Sequence, residues 1–81
     1  MSNPYRKPLE HLHTQLDKER DAELHRDTHA LMGRDDHPAA FAEHEGFRGR
    51  LEAAVERYSA SHPELARAAQ SLLDVLNANG V

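Results

Sequence analysis

Seven histidines in 81 residues are the feature of this chain most able to do chemistry. His25 and His29 stand four apart, so on a helix they share a face and can hold one transition-metal ion between them. Asp21 lies one turn earlier on the same side. The zinc-protease pattern needs Glu directly after the first His. Here that position is Arg26, which excludes that hydrolase. His11 shares the angular face, but fourteen residues at 1.5 Å each place it about 21 Å away. His13 falls on the opposite face of a continuous helix. His37 and His44 approach the others only through folding that spacing does not reveal. The plainer expectation is that these histidines are solvated, with no bound metal and no cofactor. Imidazoles titrate near pH 6.5 when unperturbed. Seven protons move the formal charge from −4 to +3, so a pH-responsive module is the milder alternative to a metal-responsive one.

Other chemistries find less support. Glu10, Glu19, Glu23, Glu52, Glu56 and Glu64 lie among Arg and Lys at helical spacing, as in Glu23–Arg26 and Glu64–Arg67. That is the pattern of solvated helix surface pairs, each contributing about 0.2–0.5 kcal/mol. No Ser-His-Asp spacing is present. Gly46-Phe47-Arg48-Gly49-Arg50 is too short for a phosphate loop and lacks its Lys-Ser/Thr. We expect no enzyme. Arg48, Arg50 and Arg57, with Phe47 and Tyr58 nearby, are interleaved by Glu43, Glu45, Glu52 and Glu56. With a net charge of −4 this argues against nucleic acid as a partner. No Cys is present, which fits a reducing cytoplasm. No apolar run reaches membrane or signal-peptide length, so no membrane partner is expected.

The elements that must position these side chains are helices. There are ten Leu and twelve Ala but no Ile and no Trp, so strand formers are few and an all-α class is expected. Mean hydropathy is −0.82. Pro8 marks a start. Tyr5, Leu9, Leu12, Leu16, Leu24 and Leu31 fall within about 120° of arc at 100° per residue. Arg20 interrupts that stripe. No Gly or Pro breaks it, so one long helix is expected over about residues 8–32. Gly33 suits a C-cap and Asp36 an N-cap for the next helical segment. Residues 33–46 are expected as loop or short helix, with Phe41 off the next stripe and a kink or fresh start near Gly46.

The C-terminal third is punctuated most firmly. Phe47, Leu51, Ala54, Val55 and Tyr58 give one helical stripe, over about residues 47–59. Leu65, Ala69, Leu72, Leu73 and Leu76 give another, over about residues 62–79. Ser61-His62-Pro63-Glu64 reads as a capping box. Gly80 suits a left-handed C′ position, with Val81 folding back on Leu76. Only Ser59-Ala60-Ser61 separates the two helices, which forces them antiparallel.

The stretch from Arg50 to Val81 resembles the C-terminal half of a bacterial domain-of-unknown-function family, number 4404 in that series. The resemblance is carried by Leu51, Ala54, Tyr58, His62-Pro63, Leu65, Leu72, Leu76 and Gly80-Val81. Leu9-Glu10-His11-Leu12-His13 matches the family's opening segment more weakly, and Asp17 to Gly46 is not covered. The resemblance implies a short, acidic, helical protein and no activity.

Together these readings lead to a small helical bundle, a long N-terminal helix on a C-terminal αα-hairpin. The core or interface is expected from Leu9, Leu12, Leu16, Leu51, Val55, Tyr58, Leu65, Leu72, Leu73 and Leu76. The apolar seams are narrow and the chain is short, so completion by a homodimer is expected. The functional expectation is a non-catalytic protein working through helix–helix contact with a second copy or another helical protein. The alternative is the His-based metal- or pH-responsive module.

Overall fold

A computed structural model of the chain describes residues 3–19, 21–34, 37, 39–44 and 46–80. Among these residues there are five helices and no strand: α1 (Arg6–Glu19), α2 (Ala22–Met32), α3 (Ala39–Glu43), α4 (Phe47–Tyr58) and α5 (Pro63–Ala78). The expectations placed on Arg20, Asp36 and Val81 lie outside the described residues.

The expected single helix over residues 8–32 is two helices. Asp21 supplies the start of the second: its backbone is extended, and its side chain accepts from the amide of Leu24 at 3.3 Å. A good N-cap needs neither Gly nor Pro to begin a new helix. The physical reason for the break is cover. Twenty-five helical residues would span about 38 Å, longer than the molecule's greatest extent of 34 Å. Folding back at Asp21 instead brings Leu24 and Leu31 onto the same core as Leu9, Leu12 and Leu16, and all five are buried. The start also differs slightly. Helix α1 begins at Arg6, with Asn3 accepting from the Tyr5 amide at 3.0 Å. Pro8 then falls in the first turn, where its missing N–H breaks no helical bond.

Helix α5 is central. It packs on α4 on one side and on α1 on the other. Its buried set is correspondingly wide: Leu65, Ala66, Ala68, Ala69, Leu72, Leu73 and Leu76. Ala68 and Ala69 are wholly enclosed, which lets neighbouring helices approach closely. Of the residues named for the core or interface, Val55 and Tyr58 are half-buried and the other eight are buried. The cover that the Leu face of α5 requires is supplied by α1 of the same chain.

Helix α3 adds an aromatic layer. Phe41 lies between Tyr5 and Phe47, with ring centroids 4.9 Å and 6.3 Å away. All three are buried. Phe41 is therefore a core residue although it stands off the α4 stripe, because α3 approaches from a different direction.

Helix ends differ in detail from the expected capping. Helix α5 begins at Pro63 with His62 at the N-cap position. Ser61 and Glu64 are thus out of register for a capping box. Pro63 fits the first helical position, and that sets the start. Gly80 is left-handed as expected, with φ of 71°. Gly33 stands at the C-cap of α2 but in a right-handed conformation.

A fresh start occurs at Gly46, whose φ is 80°. A Cβ there would be strained and would meet the Arg50 guanidinium at 3.4 Å. Gly49 is exposed inside α4, and a Cβ there would meet nothing within 4 Å. Gly49→Ala is expected to stabilise by about 0.5–1 kcal/mol, and Gly46→Ala to destabilise by about 1–2 kcal/mol. Urea unfolding of both variants checks the sign at each position.

Candidate metal centre

The break at Asp21 turns α1 and α2 into an antiparallel hairpin. His13 and Asp17 stand one turn apart on α1. His25 and His29 stand one turn apart on α2. The hairpin sets both Asp17 and His13 against His25, with His29 on the far side of His13. His25 Nε2 lies 2.6 Å from Asp17 Oδ1, and His13 Nδ1 lies 3.8 Å from Asp17 Oδ2. The His13 and His25 rings are 4.7 Å apart between centroids. One donor atom from each of His13, Asp17 and His25 can be chosen so that all three lie within 4.8 Å of one another.

Two details favour a ligand here. First, His13 Nε2 is buried, and among the described residues it is the buried side-chain nitrogen or oxygen with no hydrogen-bond partner. Such orphans are uncommon and call for a physical explanation. Leaving one costs about 1–3 kcal/mol. Second, the donors are close to the spacing an ion needs. Zinc bonds of about 2.0–2.2 Å put tetrahedral donors roughly 3.3 Å apart. His25 Nε2 is 2.6 Å from Asp17, and His13 faces Asp17 through Nδ1 at 3.8 Å, so bringing its unpartnered Nε2 to the ion takes a reorientation of the His13 ring. An ion would take the place of the hydrogen bond between His25 and Asp17. An open cavity of about 590 Å³, lined by Leu16, Asp17, Ala22, His25, Arg26 and His29, gives access.

The structure thus brings His25 and His29 to one side, as their spacing requires, and adds His13 and Asp17. It removes Asp21. That carboxylate caps α2, accepts from the Tyr58 hydroxyl at 2.8 Å, and lies 3.9 Å from Arg57. Burial, reinforced by the bond to Asp21, holds the Tyr58 hydroxyl above its ordinary pKa. The opposite face assigned to His13 assumed a continuous helix, and the turn at Asp21 cancels that assumption. His11 is exposed and lines a separate groove with Lys7, Pro8, Glu10, Thr14 and Ser71. The signal for the missed pair was present: two i, i+4 pairs placed symmetrically about a capping Asp.

A second polar cluster joins α2 to α4. Asp27, only 9% exposed, lies 2.5 Å from the Arg50 guanidinium and 2.9 Å from His44 Nε2. Glu23 approaches Arg50 at 4.0 Å. The neighbouring Thr28 hydroxyl, also buried, donates to the Leu24 carbonyl at 2.7 Å and is committed there. Arg48 bonds Asn77 across the hairpin. The three arginines considered for nucleic acid, Arg48, Arg50 and Arg57, therefore each meet a partner within the chain.

Among the described residues no helix is long and apolar enough to cross a membrane. No protein-family model, no curated protein and no solved structure matches the chain.

Proposed function

We propose that this chain is a non-catalytic helical module that binds a divalent transition-metal ion across its α1–α2 hairpin. His13, Asp17 and His25 are the ligands. The observation that carries this reading is the convergence of three donors from two helices beside a buried, unpartnered imidazole nitrogen. Two imidazoles and a carboxylate suit zinc, nickel or copper. They do not suit calcium or magnesium, which take oxygen ligands. The ion would tie α1 to α2 and so stabilise the folded hairpin. At a hundredfold excess over the dissociation constant this linkage supplies about 2.7 kcal/mol. Metal supply would then set how firmly α2 is held.

Calorimetric titration tests the proposal. The wild-type chain is expected to take up one Zn²⁺ or Ni²⁺ with saturation, and no Mg²⁺. His13→Ala and His25→Ala are expected to bind at least about 10–100-fold more weakly, the loss that even outer-shell changes bring. Their helicity, read by circular dichroism, should stay close to wild type. Absence of uptake by the wild-type chain, or equal affinity in both variants, refutes it.

A further inference from the structure

We infer that His29 is the fourth ligand of this ion, so that the site is a closed four-coordinate centre with two ligands from each helix. The inference rests on the metal reading above and adds to it the coordination number. Three imidazoles radiating from one ion, each at a bond length of about 2.0–2.1 Å, have ring centres roughly 5 Å apart. Among His13, His25 and His29 the centroid separations are 4.7 Å, 5.6 Å and 6.4 Å. His29 stands at nearly the required spacing from His13, but its ring lies within 10° of parallel to that of His25, so it must turn about its own axis to aim a nitrogen at the ion that the other donors would share. Asp17 closes the remaining side through its contacts to His25 and His13.

The hairpin register explains why there are four. On α1 the pair is His13 and Asp17, and on α2 it is His25 and His29. Each pair is separated by one helical turn, about 6 Å of rise. In an antiparallel hairpin two such pairs face each other as the corners of a quadrilateral. Three corners are already within reach of one ion. His29 is exposed and lines the open cavity beside Asp17 and His25. Its ring has room to turn inward, and a modest rotation shortens the 6.4 Å separation.

The coordination number decides what the site does. Three protein ligands leave a position for water and for Lewis-acid chemistry, whereas four ligands close the shell and make the ion a structural cross-link. A closed shell of three His and one Asp holds the hairpin together from both helices and leaves no exchangeable position for a substrate.

Cobalt(II) titration reads the site, because four-coordinate cobalt absorbs strongly in the visible, and a water in the fourth position, unlike a side chain, exchanges with added imidazole and shifts the bands. The wild-type chain is expected to bind one Co²⁺ with strong bands. His29→Ala is expected to keep the ion, with affinity reduced about 10–100-fold, and its bands are expected to shift when free imidazole is added, whereas those of the wild-type chain stay fixed. His11→Ala, whose side chain lies on another groove, serves as the control and is expected to match wild type. Wild-type bands that shift with added imidazole, or an affinity in His29→Ala equal to that of wild type, overturn the fourth-ligand assignment while leaving three-ligand binding intact. No cobalt uptake by the wild-type chain overturns both.

Discussion

Leu72→Ala is expected to destabilise the fold by about 2–5 kcal/mol, the range for truncating an enclosed leucine. Leu72 has no exposed surface, and it sits on the central helix with α1 and α4 on either side. A chain of this size has a total stability of roughly 4–12 kcal/mol at 0.05–0.15 kcal/mol per residue. The substitution therefore removes a large share, and Leu72→Asp is expected to abolish folding altogether. The measurement that matters is unfolding in urea at several protein concentrations. If Leu72 fills the interior of one chain, the midpoint of Leu72→Ala falls and stays the same at every concentration. If it sits instead in a seam between two chains, the midpoint rises with concentration in wild type and variant alike. The enclosure of Leu72 and Leu76 by the chain's own helices predicts the first result. Any self-association, or any contact with another helical protein, would then have to use a different surface from the leucines that suggested it.

Local pattern carries some parts of this fold and not others. The α4–α5 hairpin was legible because every determinant is local. Leu51 and Ala54 share a face, Leu65, Leu72, Leu73 and Leu76 share another, and three residues between helices allow only an antiparallel return. Gly80 was legible for the same reason: its left-handed conformation follows from a helix end. The N-terminal half was not, because one short-range choice there controls everything downstream. Asp21 could extend the face of His25 and His29 or start a new helix, and Leu24 and Leu31 fit the apolar stripe in both cases. The choice is made by packing, since only a turn at Asp21 lets those two leucines reach α1 and the core. Once it is made, His13 and Asp17 move from irrelevance to the centre of the candidate site. Phe41 behaves the same way: its partners Tyr5 and Phe47 lie on other elements, so its own neighbours in sequence carry no trace of its burial. Asp27, His44 and Arg50 meet over separations of 17 and 23 residues, and no periodicity reports such a meeting.

Arg50→Met is expected to cost about 3 kcal/mol, and Asp27→Asn only about 1–2 kcal/mol, although the two substitutions break the same ion pair. The asymmetry follows from where each charge is left. The Asp27 side chain is 12% exposed and that of Arg50 is 36% exposed. Removing the guanidinium strands a carboxylate that solvent barely reaches, with His44 at 2.9 Å as a smaller compensation. Removing the carboxylate leaves a guanidinium that reaches water and still has Glu23 at 4.0 Å. Methionine keeps the length of the arginine stem, so the difference reports charge more than packing. The double variant is expected to cost less than the sum of the two, because removing Asp27's charge relieves the stranding. Urea unfolding of the three variants checks the order, and equal single costs or a reversed order would contradict the burial on which it depends. The consequence extends to the hairpin. Helix α2 carries His25 and His29, and its polar side is tied to the body through Asp27 and Asp21. Loosening the Asp27 tie therefore frees α2 relative to α1, and Zn²⁺ affinity is expected to fall in Arg50→Met before any ligand is changed. A saturating ion should in turn recover part of the lost stability, since it joins the same helix from the other side.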